Sequence, residues 1–419
     1  MKYADAINRP PPRQRHPLRW LKRTALAIIA LLLLALAWDV LSYDADAWLA
    51  DYSRLKQDMA QGYANLDWMV EKRGVDLPAL DRRTTDALRN AHSNLRAFIA
   101  LRSFVRGFND PHLRMKPGAR PASATARTSG SQAVATSEEA DPAAADCVAA
   151  GHEEGDHAFR FPFARVAGWK PIRNGDFPTG MIGDTGVLRI AQFGEDRYLD
   201  ACQAVFKPGI GRHALKLAVR AHQQALLRDA IDELQAKGAR RLLVDVSGNG
   251  GGTEWVTEVV ALISERELSR REALLVAPAC DRAVVWAGNS APCPVFASTG
   301  TERVTLQGSG EWRGPVLILA DSRTGSAAEG FVAWLQQNKV ATVIGERTAG
   351  AGCGYVDGGN PTRLKVVPVD VWMPNCARFL DDGRNEIDGI APDIALPMRR
   401  DADADVQAEA LARVLKESA

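Results

Sequence analysis

Ser326 lies in the stretch Thr324-Gly-Ser-Ala-Ala-Glu-Gly330, between an apolar run at residues 315–320 and a helical pattern at 331–338. A serine in a strand-to-helix turn has its hydroxyl presented on a rigid edge, where the helix N-terminus favours developing negative charge. The same turn also suits a plain helix cap by Thr324 or Ser326. A second turn, Ser247-Gly-Asn-Gly-Gly-Gly252, follows the apolar segment 241–246. Its glycines expose backbone N–H groups that can serve as oxyanion donors. It could also cradle a phosphate, but it fits neither dinucleotide nor P-loop spacing. A glycine turn needed only for backbone geometry is the plainer alternative.

A nucleophilic serine needs a base. His112 lies in Phe108-Asn-Asp-Pro-His-Leu-Arg-Met115, close to Asp110, and Pro111 pushes Asp110 out of the helical region, so His112 is expected on a loop. A lysine base is the other option. The loop Gly345-Glu-Arg-Thr-Ala-Gly-Ala-Gly352 carries none, and the nearest, Lys339, stands at a helix end. Glu386 is a candidate for orienting the base; by itself it reads as a solvated turn residue. Ser326 is not in a G-x-S-x-G elbow, which disfavours an α/β-hydrolase.

The elements that must position these groups follow from periodicity. Residues 45–106 read as helical, with Trp48, Tyr52, Leu55 and Met59 at helical spacing and a second series from Leu88 to Val105. Residues 116–157 are rich in Ala, Ser, Thr, Gly and Pro and read as an insertion with no core to join. Within it, His152 and His157 flank carboxylates but lack H-E-x-x-H spacing, so a solvated loop is expected and no metal or cofactor is assigned. Strands are expected at 186–192, 241–246, 315–320, 341–344 and 364–372, and helices at 213–237, 253–263, 327–338 and 404–416. His222 falls on the apolar side of the helix at 213–237 and reads as a packing residue. Strand–helix–strand repeats imply a parallel sheet with right-handed crossovers. Ligands of such sheets bind at the carboxyl ends of the strands.

The chain of 419 residues has room for two to three domains, and its net charge of +1 gives no sign of a nucleic-acid surface. Its six cysteines form no C-x-x-C pair, which gives no indication of a zinc knuckle or thioredoxin-type motif; an even number suits disulfides, in any of fifteen pairings. Residues 1–23 carry seven Lys and Arg against the single acid Asp5, and residues 25–37 are apolar up to Asp39. This pattern fits a signal peptide or an uncleaved signal anchor at 24–38, with the remainder outside the cytoplasm. The location expected is periplasmic or extracytoplasmic, with anchoring to an inner membrane if the segment is retained.

Four of these segments, in order, resemble the tail-specific (C-terminal processing) serine peptidase family. Asp245-Val-Ser-Gly-Asn-Gly-Gly-Gly252 is similar to its D-x-R-x-N-G-G-G strand-loop, with Ser247 in place of the arginine. The Ser326 turn is similar to its S-A-S/A-E turn, residues 345–350 to its G-E-x-T-x-G, and Gly389-Ile-Ala-Pro-Asp393 to its closing G-V-x-P-D. The resemblance implies an α/β fold with a Clp-protease/crotonase-like spiral core of parallel strands and helices and a helical N-terminal subdomain. The organisation expected is a basic segment at 1–23, the signal segment at 24–38, the helical subdomain at 45–115, the insertion at 116–158, the peptidase domain at 159–399 and a surface helix at 400–419.

Where the Ser-Lys branch has its lysine, this chain has Ala351. The segment 108–112 instead resembles the L-x-D-x-H of the tricorn-like and retinoid-binding-protein-like branch, with Phe108 in place of leucine and Pro111 where that branch has a serine. The resemblance therefore implies Ser326 as nucleophile, His112 as general base and acid, and Glu386 as orienting carboxylate. It implies oxyanion donors among the N–H groups of Gly250 or Gly251 and Ala327. The reading is a serine peptidase acting on peptides or proteins. A non-catalytic binding protein on the same scaffold and an esterase-like hydrolase are the alternatives. The residues do not give the oligomeric state, and no PDZ segment is evident.

Overall fold

The apolar runs around Leu243 and Ile318 form neighbouring strands, Arg241–Asp245 and Val316–Ala320, paired in parallel with Leu242 opposite Val316. The computed structural model describes residues 17–118, 141–277, 280–297, 301–359, 361–398 and 401–417. All five residues of Val316–Ala320 are buried, as expected for a strand covered on both faces. Ala341–Gly345 and Ile394–Ala395 extend the sheet on one side and Thr185–Arg189 on the other, all in parallel. Thr179–Ile182 and Trp169–Arg173 complete seven strands as an antiparallel edge. One face is covered by the helices Arg212–Ala236, Trp255–Ile263 and Ala327–Gln337, through residues such as Leu227, Val260 and Phe331. Leu411, Val414 and Leu415 of the C-terminal helix Ala404–Glu417 pack with Leu243 and Leu317. Asp403 caps that helix through the Asp405 and Val406 N–H groups.

The helical region resolves into Ala45–Gly62, Leu66–Glu71, Leu77–Arg89 and Asn94–Arg106. Trp48, Tyr52, Leu55 and Met59 are buried at the expected spacing, in one cluster with Phe104, Phe108, Val371, Met373 and Ile387. This region therefore shares a core with the end of the chain rather than standing apart. Asp51 accepts the N–H groups of Lys365 and Val366 at 2.7 and 2.9 Å. Arg114–Pro117 pairs antiparallel with Val369–Trp372, Arg114 opposite Trp372. That ladder, just after His112, belongs with Thr362–Arg363 to a separate three-stranded sheet.

Two expectations need correction. The expected strand at 364–372 is ordered as a strand only at Val369–Trp372, because Leu364 N–H turns back onto the Val369 carbonyl and Pro368 has no N–H to give a ladder. The first helix runs Pro17–Leu41, through Asp39, whose carboxylate accepts Leu95 N–H at 2.9 Å. Residues 141–158 are not an insertion without a core. Cys147 bonds Cys202, Ala144 joins the main core, and His152 and His157 are buried. The His152 ring meets the Glu195 carbonyl at 3.0 Å, and the His157 ring stacks on Tyr198. Glu154, His157 and Asp176 bring potential ligand atoms within 4.8 Å of one another. The rest of that segment, 119–140, lies outside the described residues.

Candidate active site

Ser326 follows the strand Val316–Ala320 by a short turn and sits at the N-cap position of the helix Ala327–Gln337, with φ +56° and ψ −119°. An ordinary N-cap residue is extended. A positive φ in a residue with a Cβ is strained, and such strain persists only where the surroundings hold it. Here they do. Gly325 N–H donates to the Asn249 carbonyl at 2.9 Å and Ala349 N–H to the Thr324 carbonyl at 2.8 Å. Thr324 Oγ1 donates to the Val246 carbonyl at 3.0 Å. Asp321 accepts Gly248 N–H at 2.7 Å. The serine turn is thus fastened to the glycine loop on one side and to the 345–352 loop on the other.

Gly251 must be glycine. Its φ is +104°, and a Cβ there would stand 2.7 Å from Ser326 Cβ and 2.8 Å from Ala327 N. Its N–H, one of the expected oxyanion donors, is taken by Asn249 Oδ1 at 2.9 Å. The N–H groups of Gly250 and Ala327 have no acceptor among the described residues. The first N–H groups of a helix are unpaired by construction. Where the tail-specific pattern has an arginine, Ser247 Oγ donates to Asp245 at 2.6 Å. Asp245 also faces a cation from the neighbouring strand: Arg189 lies at 3.2 Å, fully buried.

His112 is buried on a loop that Asp110 shapes. One Asp110 oxygen accepts His112 N–H and the other the Tyr63 hydroxyl, both at 2.8 Å. The ring's Nδ1 lies 2.7 Å from the Ala351 carbonyl. A carbonyl only accepts, so this contact assigns the proton to Nδ1 and leaves Nε2 as a bare lone pair. Gly354 packs against that ring; a Cβ there would approach Nε2 to 3.0 Å. Burial lowers the imidazole pKa to about 4, against the Ala351 contact, with Arg114, Arg378 and Lys116 adding to the fall. Ser326 and His112 form no hydrogen bond to each other among the described residues; catalytic hydrogen bonds often close only around substrate.

Glu386 is fully buried and does not meet His112. Arg270 Nη2 donates to one of its oxygens at 2.5 Å and Arg378 Nε to the other at 2.6 Å. Burial alone would raise its pKa, but Arg378 and Arg270 outweigh burial and hold it below the usual carboxylate value. The expected orienting carboxylate has no direct hydrogen bond to His112: the arginines occupy Glu386, and the Ala351 carbonyl meets the ring.

Residues 184–396, about half of the chain, match the model of Peptidase family S41. The chain belongs to peptidase family S41. It is a serine-type peptidase with the S41 fold. A crystal structure of a Parabacteroides merdae protein described as a peptidase superposes with a TM-score of 0.57 at 15% identity, covering 88% of this chain and 96% of that one. Mature CPAF superposes with a TM-score of 0.55 at 14% identity, covering 89% and 97%. At these identities the likeness speaks to the fold alone. No curated protein matches by sequence.

The residue that sequence reasoning left without a role in this S41 site is Glu329. It is fully buried. One oxygen accepts Thr348 Oγ1 at 2.6 Å and Gly350 N–H at 2.7 Å. The other accepts the N–H groups of Ser326, Ala351 and Gly352 at 2.9, 3.0 and 2.9 Å. One carboxylate thus joins the serine turn to the loop whose Ala351 carbonyl holds His112. Its signal was its place three residues after Ser326, as in a capping box. Arg270 and Arg378 gave no local signal.

The Cys353–Cys376 disulfide links the same loop to the segment bearing Arg378. Replacing both cysteines by serine is expected to cost about 3 kcal/mol of stability, from loop-closure entropy. It should also slow acylation of the serine. Urea unfolding and probe labelling of the double variant check this; unchanged labelling would show that the bond serves stability alone.

Proposed function

We propose that this S41 peptidase is exported, retains its first helix as a membrane anchor, and hydrolyses peptide bonds through an acyl-enzyme on Ser326, with His112 as general base and acid. Nε2 of His112 takes the Ser326 hydroxyl proton as Oγ bonds to the peptide carbonyl carbon. The carbonyl oxygen, now negative, accepts from the Gly250 and Ala327 N–H groups. The C–N bond then breaks and the leaving amine takes the proton from His112. Water, deprotonated by the same nitrogen, hydrolyses the ester and restores Ser326.

The observation that carries this reading is the Nδ1–Ala351 carbonyl contact at 2.7 Å. It fixes the tautomer a base requires, on the loop that Glu329 ties to Ser326. Export is supported by the basic N-terminal segment, by the apolar helix beside it and by the pairing of all six cysteines as disulfides. Pro17–Leu41 is the one helix among the described residues long and apolar enough to cross a membrane, and its leucines from Leu26 to Leu41 are exposed. The end of that helix is built into the fold: Asp39 accepts the N–H of Leu95, and Asn94 donates to the Asp39 carbonyl and to Ser42 Oγ.

Digestion of unfolded casein by the full chain in detergent tests the activity. Cleavage is expected from the wild type and is expected to fall by at least about 10⁴-fold in Ser326→Ala. Hydrolysis of p-nitrophenyl esters without casein cleavage would move the reading to an esterase-like hydrolase. Neither activity, from folded protein, would leave a binding protein.

A further inference from the structure

We propose that Arg378 is a positioning residue through which Glu386 acts on both halves of the site. This rests on the reading of Ser326 as nucleophile and His112 as base. Glu386 sits with two arginines and no exposure to water, an arrangement that costs desolvation unless every group is used. Arg378 has donors to spare beyond the one it gives Glu386. Its Nη2 donates to the carbonyl of Ser326 at 2.7 Å and to that of Gly352 at 2.8 Å. The first belongs to the residue with the strained backbone. The second adjoins Ala351, whose carbonyl orients the His112 ring. One planar guanidinium therefore spans the serine turn and the histidine's support, in a fork geometry that lysine cannot reproduce.

The rest of the cluster holds that guanidinium in place. Glu386 N–H donates to the Arg378 carbonyl at 2.9 Å, so the two residues are also joined through their backbones. Arg270 takes the other Glu386 oxygen and lies over the Trp334 ring, on the helix that Ser326 starts. The segment leading into Arg378 is fixed by the Cys353–Cys376 bond. Glu386 thus orients a cation, and the cation orients the two loops. The imidazole is oriented by a backbone carbonyl instead.

Two measurements separate this from a purely structural ion pair and from direct orientation of the histidine. The first is a double-mutant cycle on the second-order rate of fluorophosphonate labelling. Glu386→Gln and Arg378→Gln are each expected to slow labelling about 100-fold through misplacement of the reacting groups. The double variant should be no slower than Arg378→Gln alone, because both act through one group. Multiplying losses would overturn the proposal.

The second is the NMR titration of the His112 imidazole, which reads out whether or not the serine reacts. The charged and titratable groups facing that ring are Arg114 and Lys116 from the strand that follows its loop, Arg378, and the Tyr355 ring edge, with Asp110 in the loop itself. Arg378→Gln removes one cation and should move the midpoint upward from about 4. Arg378→Lys should keep the midpoint low while labelling still falls. An unmoved midpoint in Arg378→Gln, or full labelling in Arg378→Lys, would overturn the proposal. Wild type that stays unlabelled while the midpoint shifts as stated would sink the nucleophile reading and leave Arg378's place beside His112 supported.

Discussion

His112→Ala is expected to slow acylation of Ser326 by about 10²–10⁴-fold, the range a positioned general base contributes. The variant should stay folded, because the loop is shaped by Asp110 through the backbone N–H of residue 112, which alanine retains. The pH dependence gives the sharper signature. Burial lowers the His112 pKa from 6.5 to about 4. In the proposed mechanism the neutral imidazole is the base, so the labelling rate should climb as pH rises through about 4 and be level by neutral pH. A histidine of ordinary pKa would give a climb through 6.5 instead. Stability carries the same group with its own sign. Between pH 6.5 and about 4 the unfolded chain binds the proton and the folded chain does not. His112 therefore destabilises the fold progressively as pH falls through that window, and His112→Ala should flatten that part of the stability curve. A labelling profile centred at 6.5, or one unchanged in His112→Ala, would remove the histidine from the mechanism.

Glu329→Gln is expected to be the most destabilising conservative change in the site. The carboxylate accepts five hydrogen bonds, two on one oxygen and three on the other. Glutamine offers one acceptor oxygen and turns an NH₂ group towards donors. At least two buried donors then lose their acceptor, at roughly 1–3 kcal/mol each, or about 2–6 kcal/mol together. The midpoint of urea unfolding should fall accordingly. Labelling should fall by about 100-fold in protein that remains folded, since Ser326 and Ala351 lose their common tether. A loss under about 1 kcal/mol with normal labelling would show that the five contacts are not what holds the turn.

Much of this arrangement was legible because its parts are local. The buried strands at Arg241–Asp245 and Val316–Ala320 and the helix at Ala327–Gln337 followed from apolar runs and periodicity. The glycines of the 248–252 turn read as exposed backbone N–H groups beside the serine turn, and the close fit of Gly251 against Ser326 was not foreseen. The partners that make those parts a site were not legible, because they come from distant positions. Glu386 read as a carboxylate for His112. Nothing near it in sequence announced Arg270, 116 residues away, which the fold places against it together with Arg378. The Ala351 position was read for the lysine it lacks, whereas its backbone carbonyl is the group that meets His112. A carbonyl is present at every residue and leaves no mark in composition. Residues 141–158 read as a polar insertion because the Cys147–Cys202 pairing that pins them was one of fifteen arrangements.

The central claim is that Ser326 is the nucleophile of this S41 peptidase. The most direct measurement is mass spectrometry of the folded full chain after reaction with a fluorophosphonate, with the modified peptide sequenced. One adduct on Ser326 in the wild type, and none in Ser326→Ala, is the predicted result. A folded wild type that remains unmodified, or an adduct on a different serine, would contradict it.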